Sequence, residues 1–484
     1  MKVLFLLPPS LDGKPPAERI FGCNYGIYRQ PHIFLLYAAT VLIQAGHEVI
    51  VRDFPSEGLE PSDFHLFLDG PSCDLVCFPT VFLSWKTDCL ARETIRRKWP
   101  KANFVFFSTE PTARPDRFLA SDTIVVRGEP ERPLLAVVNA LAEGQPVRGI
   151  PGISYLEDGT VQHGGRNAEV EELDELPFPD RYLLPVSDYM NPKLTARPFT
   201  AMVASRGCSF QCRFCVPNTL SFSREIEFKR GGHRGKPPVR LRSVANLVEE
   251  CRLLAGQGYR SISFLDDQFV WGVERTIEFC KGIEPFGFQW SCLARADMLQ
   301  DRQMLDWMKR AGCSYIDIGV ESFDQAILDD IEKGCRLEQI YSAIERVREA
   351  GIEPEINVLI GASPLETPLT IEHTFREAVR LDVEYVLFSI CTPFPHTRFE
   401  ALAREKGWMI KPEYEGIDPM RDSFISYPHL SKHRLELIIR RLYWRFYLRP
   451  SYLMKRIRKI TGWRDFLSKV RAALFLIASP GRRT

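Results

Sequence analysis

The sequence predicts an α/β protein with an amino-terminal doubly wound parallel sheet, a partial barrel of six strand and helix units, and a helical carboxyl-terminal region. Three observations carry that expectation. The chain has 484 residues, beyond the roughly 250 to 300 that one hydrophobic core serves. In two separate regions, short runs apolar on both faces alternate with helix-length segments, as when helices cover both sides of a parallel sheet. Between those regions Pro177, Pro179, Pro185, Pro192 and Pro198 forbid a long helix.

Residues 1–148 form the first alternating region, with strands expected at 2–7, 47–51, 74–79, 103–107 and 123–126 and a helix over 32–44 ended by Ala45 and Gly46. Ligands of such sheets bind beyond the carboxyl ends of the strands. Residues 149–198 read as a linker, with a hairpin in GISYLEDGTV (152–161) and an acidic connector at 169–180. Alternation returns over 199–407, with strands at 200–204, 261–265, 288–292, 315–319, 355–360 and 385–390. Six units suit a partial (β/α)6 barrel better than a closed eight-unit one, and the strand tips build the site in either case. In 408–484, Leu435, Ile438, Ile439, Leu442 and Phe446 recur at helical spacing with arginines on the other face, and 463–477 is a second such stretch.

A content of 45% hydrophobic and 26% charged residues, with mean hydropathy −0.15, is that of a soluble globular protein and excludes disorder. No apolar run has the 18 or so residues of a spanning helix, and MKVLFLLPPS lacks a small-residue cleavage pattern, so a cytoplasmic protein is expected. Thirteen cysteines in a large chain without a secretion signal read as reduced thiols. The net charge of +1 hides an asymmetry: residues 431–484 hold 15 Lys/Arg against Glu436 and Asp465, so the tail carries +13 and the remainder −12.

At the tip of the first barrel strand stands SRGCSFQCRFCVPN, with Cys208, Cys212 and Cys215 separated by three and two residues. Three thiolates on one short loop can each ligate one iron of a cubane cluster and leave the fourth iron open. Structural zinc is the rival, but it takes four protein ligands, usually in two close pairs. The triplet has no partner pair, and only Cys313 or Cys335 offers a fourth ligand. The other ten cysteines, Cys73, Cys77 and Cys251 among them, read as small core residues.

The CxxxCxxC spacing with Phe214 before the last cysteine resembles the signature of the radical S-adenosylmethionine superfamily. The resemblance implies a [4Fe-4S] cluster whose open iron binds S-adenosylmethionine, and a 5′-deoxyadenosyl radical that abstracts hydrogen from substrate. FLDDQF resembles the family's FxDDxF motif and places Asp266 or Asp267 near the methionine ammonium, unless this acidic loop caps the next helix. CLARAD and GVES resemble segments lining the S-adenosylmethionine pocket and supply Arg295, Asp297 and Glu321; Arg295 reads equally as a structural partner of a nearby carboxylate. GASPLET, with Glu366 and Thr367, and TPFPHT resemble the last two tip segments. His396 stands where the family has glycine, either as a bulkier turn residue or with its imidazole toward the substrate.

The first region also resembles the cobalamin-binding domain of one branch of that superfamily: Pro8 and Pro9 follow the first strand, GHEV (46–49) precedes the second, and a GE-containing segment (128–131) follows the fifth. The resemblance implies cobalamin over the strand tips, with contacts from Ser10, Thr80 and Ser108 and their loops. Two departures stand out. No DxHxxG supplies a histidine below cobalt, and Ser108 and Thr109 replace a glycine pair and crowd the nucleotide tail.

The function implied is a class B-like methyltransferase acting on an unactivated carbon of a small molecule, pigment or lipid, with an electron donor such as flavodoxin or ferredoxin. A cyclase, oxidative or rearranging enzyme without methyl transfer is the second reading, and a non-catalytic iron-sulfur sensor the third. The basic tail reads as a cover for the barrel, a peripheral membrane contact or a nucleic-acid grip. It lacks the small β-barrel of tRNA-modifying relatives, so no nucleic-acid partner is expected.

Overall fold

A computed structural model describes residues 1–22, 29–167, 170–185, 189–410, 414, 418 and 422–458. The second basic stretch of the tail, on which the membrane expectation rests, lies outside the described residues. Among these, no helix is long and apolar enough to cross a membrane.

The amino-terminal sheet contains β1 (Lys2–Leu7), β2 (Glu48–Asp53), β3 (Leu75–Pro79), β4 (Asn103–Phe107), β5 (Thr123–Val126), β6 (Ile153–Glu157) and β7 (Thr160–His163), in the spatial order β2-β1-β3-β4-β5-β6-β7. β1 to β5 are parallel. Alternate residues of β1 feed separate cores, Val3 and Phe5 on one face and Leu4 and Leu6 on the other, so the sheet is covered on both sides. The order reverses between β1 and β3, which makes their carboxyl ends the switch point where such sheets bind ligands.

The hairpin of the linker segment extends this sheet. Asp158 (φ 50°) and Gly159 (φ 74°) make the left-handed pair of a type I′ turn. β6 then pairs antiparallel with β5 and closes what would be an open edge.

The second sheet holds β8 (Phe199–Met202), β11 (Ser261–Phe264), β12 (Gln289–Arg295), β13 (Cys313–Glu321), β14 (Glu353–Ile360) and β15 (Tyr385–Ile390), all parallel, in the order β15-β14-β13-β12-β11-β8. β9 (Ser205–Arg206) and β10 (Arg240–Leu241) form a small antiparallel ribbon just before the cysteines. The barrel is open, and the tail covers one edge: Tyr447 Oη accepts from the Val386 amide (3.1 Å) and donates to its carbonyl (2.8 Å), while Tyr443 Oη donates to the Phe388 carbonyl (2.7 Å). Leu435, Ile439, Leu442 and Phe446 of the Lys432–Tyr447 helix are buried in the barrel core, so this part of the tail is a cover.

The carboxyl edge of the first sheet faces the barrel through the Thr219–Arg230 helix. The Thr219 amide donates to the Ile20 carbonyl (2.7 Å), and Phe82, after β3, stacks on Phe394 at 5.6 Å. Beside these contacts Glu129 lies buried among Arg206 (3.1 Å), Arg240 and Arg224 (3.9 Å), and Glu131 pairs with Arg206 at 2.7 Å. The GE segment of the sequence is therefore an ionic clasp between the domains.

Candidate active site

Cys208, Cys212 and Cys215 follow β9 and end at Asn218, whose side chain accepts from the Ser221 amide (2.9 Å) and caps the Thr219–Arg230 helix. Arg213 ties the loop to the barrel: its amide donates to the Ile331 carbonyl (3.0 Å), its guanidinium meets Asp330 (2.5 Å), and its carbonyl accepts from the Phe399 amide (3.0 Å). All three thiols are free and partly exposed, whereas the other described cysteines except Cys89 are buried in cores. A structural zinc site needs a fourth protein ligand beside the three. Three thiols on one anchored loop, each taking its own iron, fit a cubane cluster.

The tips of β11 to β13 converge on this loop. Burial pushes the Asp266 carboxyl up to about 7 and Asp267 up to about 6, but the two residues differ in commitment. Asp266 accepts from the Ala204 amide and Ser205 Oγ (3.0 and 2.5 Å) and holds the backbone ahead of the cysteines. Asp267 accepts from the Asn218 amide (2.6 Å), lies near the Ser221 hydroxyl and the Lys236 charge, and has no partner of good hydrogen-bond geometry at its buried Oδ2. Arg295 lies 3.8 Å from Cys212 Sγ, stacks on Phe210 at 3.6 Å and pairs with Asp297 at 2.9 Å, the carboxylate partner that the sequence offered as one of its two readings. Glu321 takes a left-handed φ of 67° at the tip of β13 and accepts from Lys333 Nζ (2.8 Å).

Glu321 also lines a cavity of about 220 Å³ whose walls include Phe214, Cys215, Val216, Leu359, Leu387 and Phe394, so its surface is largely apolar. Glu366 and Thr367 follow β14 and are not among the residues that line it. Glu366 accepts from the amides of Gly361, Ala362 and Ser363 (2.9, 2.8 and 3.0 Å), and Thr367 caps the Pro368–Arg380 helix. His396 has φ 67°, the conformation glycine adopts without strain, and its exposed ring does not line the cavity. It is a turn residue.

At the carboxyl edge of the first sheet, Ser10 bonds locally to Lys14, and Thr80 Oγ1 donates to Asp88 (2.7 Å) within a buried cluster with Arg19. Ser108 takes φ 89° and ψ −158°, a region that strongly favours glycine. The hydroxyls of Ser108 and Thr109 are buried without hydrogen-bond partners. Orphan hydroxyls at the tip of β4 fit a polar cofactor tail.

Two lysines escaped the sequence reading. Burial works against the Lys333 ammonium, yet Glu321 and Cys212 hold it above the ordinary lysine value. Lys236 is similarly placed: burial opposes its charge, Cys215, Glu225, Cys208 and Cys212 raise it, and its Nζ has no hydrogen-bond partner. The nearest signal for Lys236 was its place just before the β9–β10 ribbon, whose register sets Arg240 opposite Arg206.

An open parallel barrel with a cysteine triplet at its mouth, faced by a doubly wound domain, defines the architecture of an iron-sulfur radical enzyme. The Radical SAM superfamily model matches residues 202–378. The chain is 30% identical over 476 residues to an uncharacterized methyltransferase of Pyrococcus horikoshii, covering 96% of each. It is 28% identical over 291 residues to the anaerobic magnesium-protoporphyrin IX monomethyl ester cyclase of Rubrivivax gelatinosus, covering 58% of this chain and 49% of that one. Its fold matches the cobalamin-dependent S-adenosylmethionine radical enzyme OxsB, solved with aqua-cobalamin and S-adenosylmethionine, with a TM-score of 0.70 at 15% identity over 98% of this chain and 71% of that one. The chain belongs to the radical S-adenosylmethionine superfamily, and its fold, amino-terminal domain included, is like that of a cobalamin-dependent enzyme of this kind.

Proposed function

We propose that this protein is a cobalamin-dependent radical S-adenosylmethionine methyltransferase acting on an unactivated carbon of an apolar small molecule, a pigment or lipid. One observation carries the proposal: the cysteine loop and the carboxyl edge of the first sheet face each other across the Thr219–Arg230 helix, with Thr219 bonded to Arg19 and Ile20. When bound, the cluster with S-adenosylmethionine supplies the hydrogen-abstracting radical, and cobalamin supplies the methyl group.

The protein's own residues position these groups. Cys208, Cys212 and Cys215 hold the cluster. Asp267 offers its unpaired oxygen to the methionine ammonium, and Glu321, fixed by Lys333, closes the polar side of the cavity. Phe214, Val216, Leu359 and Leu387 line an apolar wall that excludes water from a reactive carbon radical. Ser108 and Thr109 offer their hydroxyls to the cobalamin tail. An external electron donor such as flavodoxin or ferredoxin completes the system.

The second reading, cyclisation without methyl transfer, is favoured by the likeness to the magnesium-protoporphyrin cyclase. Reaction with methyl-deuterated S-adenosylmethionine separates the two. A product carrying the labelled methyl group supports methyl transfer, and conversion without label overturns it in favour of cyclisation.

A further inference from the structure

The Lys432–Tyr447 helix is apolar on two opposite sides, and the barrel covers only one of them. Leu435, Ile439, Leu442 and Phe446 are buried in the barrel core. Leu437, Trp444 and Leu448, the last of them the carboxyl cap, follow one another at intervals of seven and four residues. At 3.6 residues per turn that spacing sets them on a single stripe, turned away from the buried face. They are 37%, 52% and 38% exposed.

Arginines border the stripe. Arg434 and Arg441, seven residues apart, lie along one side of it and Arg440 along the other, all three exposed. Lys432 pairs with Glu436 (3.4 Å) and Arg445 with Glu372 (2.6 Å), but among the described residues no carboxylate pairs with Arg434, Arg440 or Arg441. Glu436 is the one acid between residues 431 and 458, against nine Lys/Arg.

A partner for this face must cover apolar side chains and neutralise the arginines beside them. Nucleic acid would meet the arginines through its phosphates but leave both leucines in water. The same face of a second copy, or residues 459–484 with six Lys/Arg against Asp465, would bring like charges together. An anionic bilayer meets both demands: Leu437, Trp444 and Leu448 enter the boundary between headgroups and acyl chains, and the arginines stay among the lipid phosphates. We propose that the outer stripe of the Lys432–Tyr447 helix is a docking face for an anionic phospholipid membrane. The helix also bonds through Tyr443 and Tyr447 to β15, whose Leu387 and Ser389 line the 220 Å³ cavity, so the docking face and the cavity share one strand. That placement suits an apolar substrate drawn from the bilayer, but the docking itself does not depend on which reaction the barrel performs.

The test is co-sedimentation of the full-length, cluster-reconstituted protein with vesicles of phosphatidylcholine, and of phosphatidylcholine mixed with phosphatidylglycerol, at low and high salt. One variant combines Trp444→Ser with Leu448→Ser, the other Arg440→Glu with Arg441→Glu. All four side chains are exposed, and an unchanged iron content per chain verifies the fold. Wild type is expected to bind only the anionic vesicles, more weakly as salt rises. Each variant is expected to weaken that binding about 10-fold. Wild type that ignores anionic vesicles overturns the docking face. Variants that bind as tightly as wild type also overturn it, and assign membrane binding to residues outside this helix. Binding to transfer RNA in place of vesicles, lost in the arginine variant, overturns it in favour of nucleic acid, and a dimer in place of vesicle binding, dissolved in the Trp444→Ser variant, overturns it in favour of self-association.

Discussion

At the barrel tips four charged side chains are tied down, Asp266 to Ala204 and Ser205, Arg295 to Asp297, Glu321 to Lys333 and Glu366 to three amides, although Asp267 Oδ2, Lys236 Nζ, Asn357 Oδ1 and Thr392 Oγ1 are buried without partners. At the facing edge of the first sheet, the hydroxyls of Ser108 and Thr109, Gln30 Oε1 and His32 Nε2 are buried and unpartnered. Under the proposed function, the difference follows from what each edge would hold. A cluster and a sulfonium need fixed charges at fixed places, so the tips are cross-braced before either arrives. A large neutral cofactor with many amides is met by scattered single donors and acceptors, which stay unpaired until it docks.

The sharpest way to break this contrast is at the cluster. Cys212→Ala leaves two thiols for a cubane that needs three, and the expected outcome is loss of nearly all of the roughly four irons per chain, together with all S-adenosylmethionine cleavage. Iron and sulfide analysis of anaerobically reconstituted protein checks it. Full iron retention would show that the triplet is not the ligand set.

Next in size is the clasp that joins the two edges. Burial raises the Glu129 carboxyl, but Arg206 and then Arg240 outweigh it and hold the group below the ordinary glutamate value. Removing one partner of a buried ion network strands the others, so Glu129→Ala is expected to cost about 3 to 5 kcal/mol in denaturant unfolding. A carboxyl depressed in the folded state contributes fully above its unfolded value of about 4.3, and that contribution drains away as the pH falls through the lower folded value. Stability of wild type should therefore fall more steeply below about pH 4 than that of Glu129→Ala.

What the sequence disclosed follows the same division. Five amino-terminal strands and six barrel strands were legible because buried parallel strands are continuous apolar runs, and the cysteine loop stood out because three thiols at that spacing form a recognisable pattern. The motifs at 264–269 and 361–367 were legible as motifs, but not the division of labour within them. Asp266 and Glu366 bind backbone, and only the folded chain shows Asp267 with an oxygen to spare. The β5–β6 pairing, Lys333 and Lys236 were hidden because each depends on a partner distant in sequence.

A smaller effect is expected at Ser108, whose φ of 89° and ψ of −158° belong to glycine. Relief of about 1 to 3 kcal/mol of backbone strain outweighs the roughly 0.5 to 1 kcal/mol of added chain entropy. Ser108→Gly should therefore stabilise the protein by about 1 kcal/mol in denaturant unfolding. Loss of stability would mean that the buried hydroxyl has a role in the cofactor-free fold.

The finest probe is Lys236, because it tests whether the bracing at the barrel tips extends to the charge of the cluster itself. Its side chain is 9% exposed, and its nearest carboxylate, Glu225, lies 4.0 Å away, beyond hydrogen-bonding reach. The three thiols gain negative charge as the cluster assembles, and one more negative charge arrives on reduction. A fixed ammonium nearby favours the reduced state. Lys236→Met is expected to shift the cluster midpoint potential on the order of 50 mV more negative at unchanged iron content, and Lys236→Arg to restore most of the shift. Anaerobic redox titration followed by electron paramagnetic resonance measures it. A potential unmoved in Lys236→Met would assign this lysine to packing of the 231–240 loop alone, and would confine the electrostatic bracing to Arg295 and Lys333.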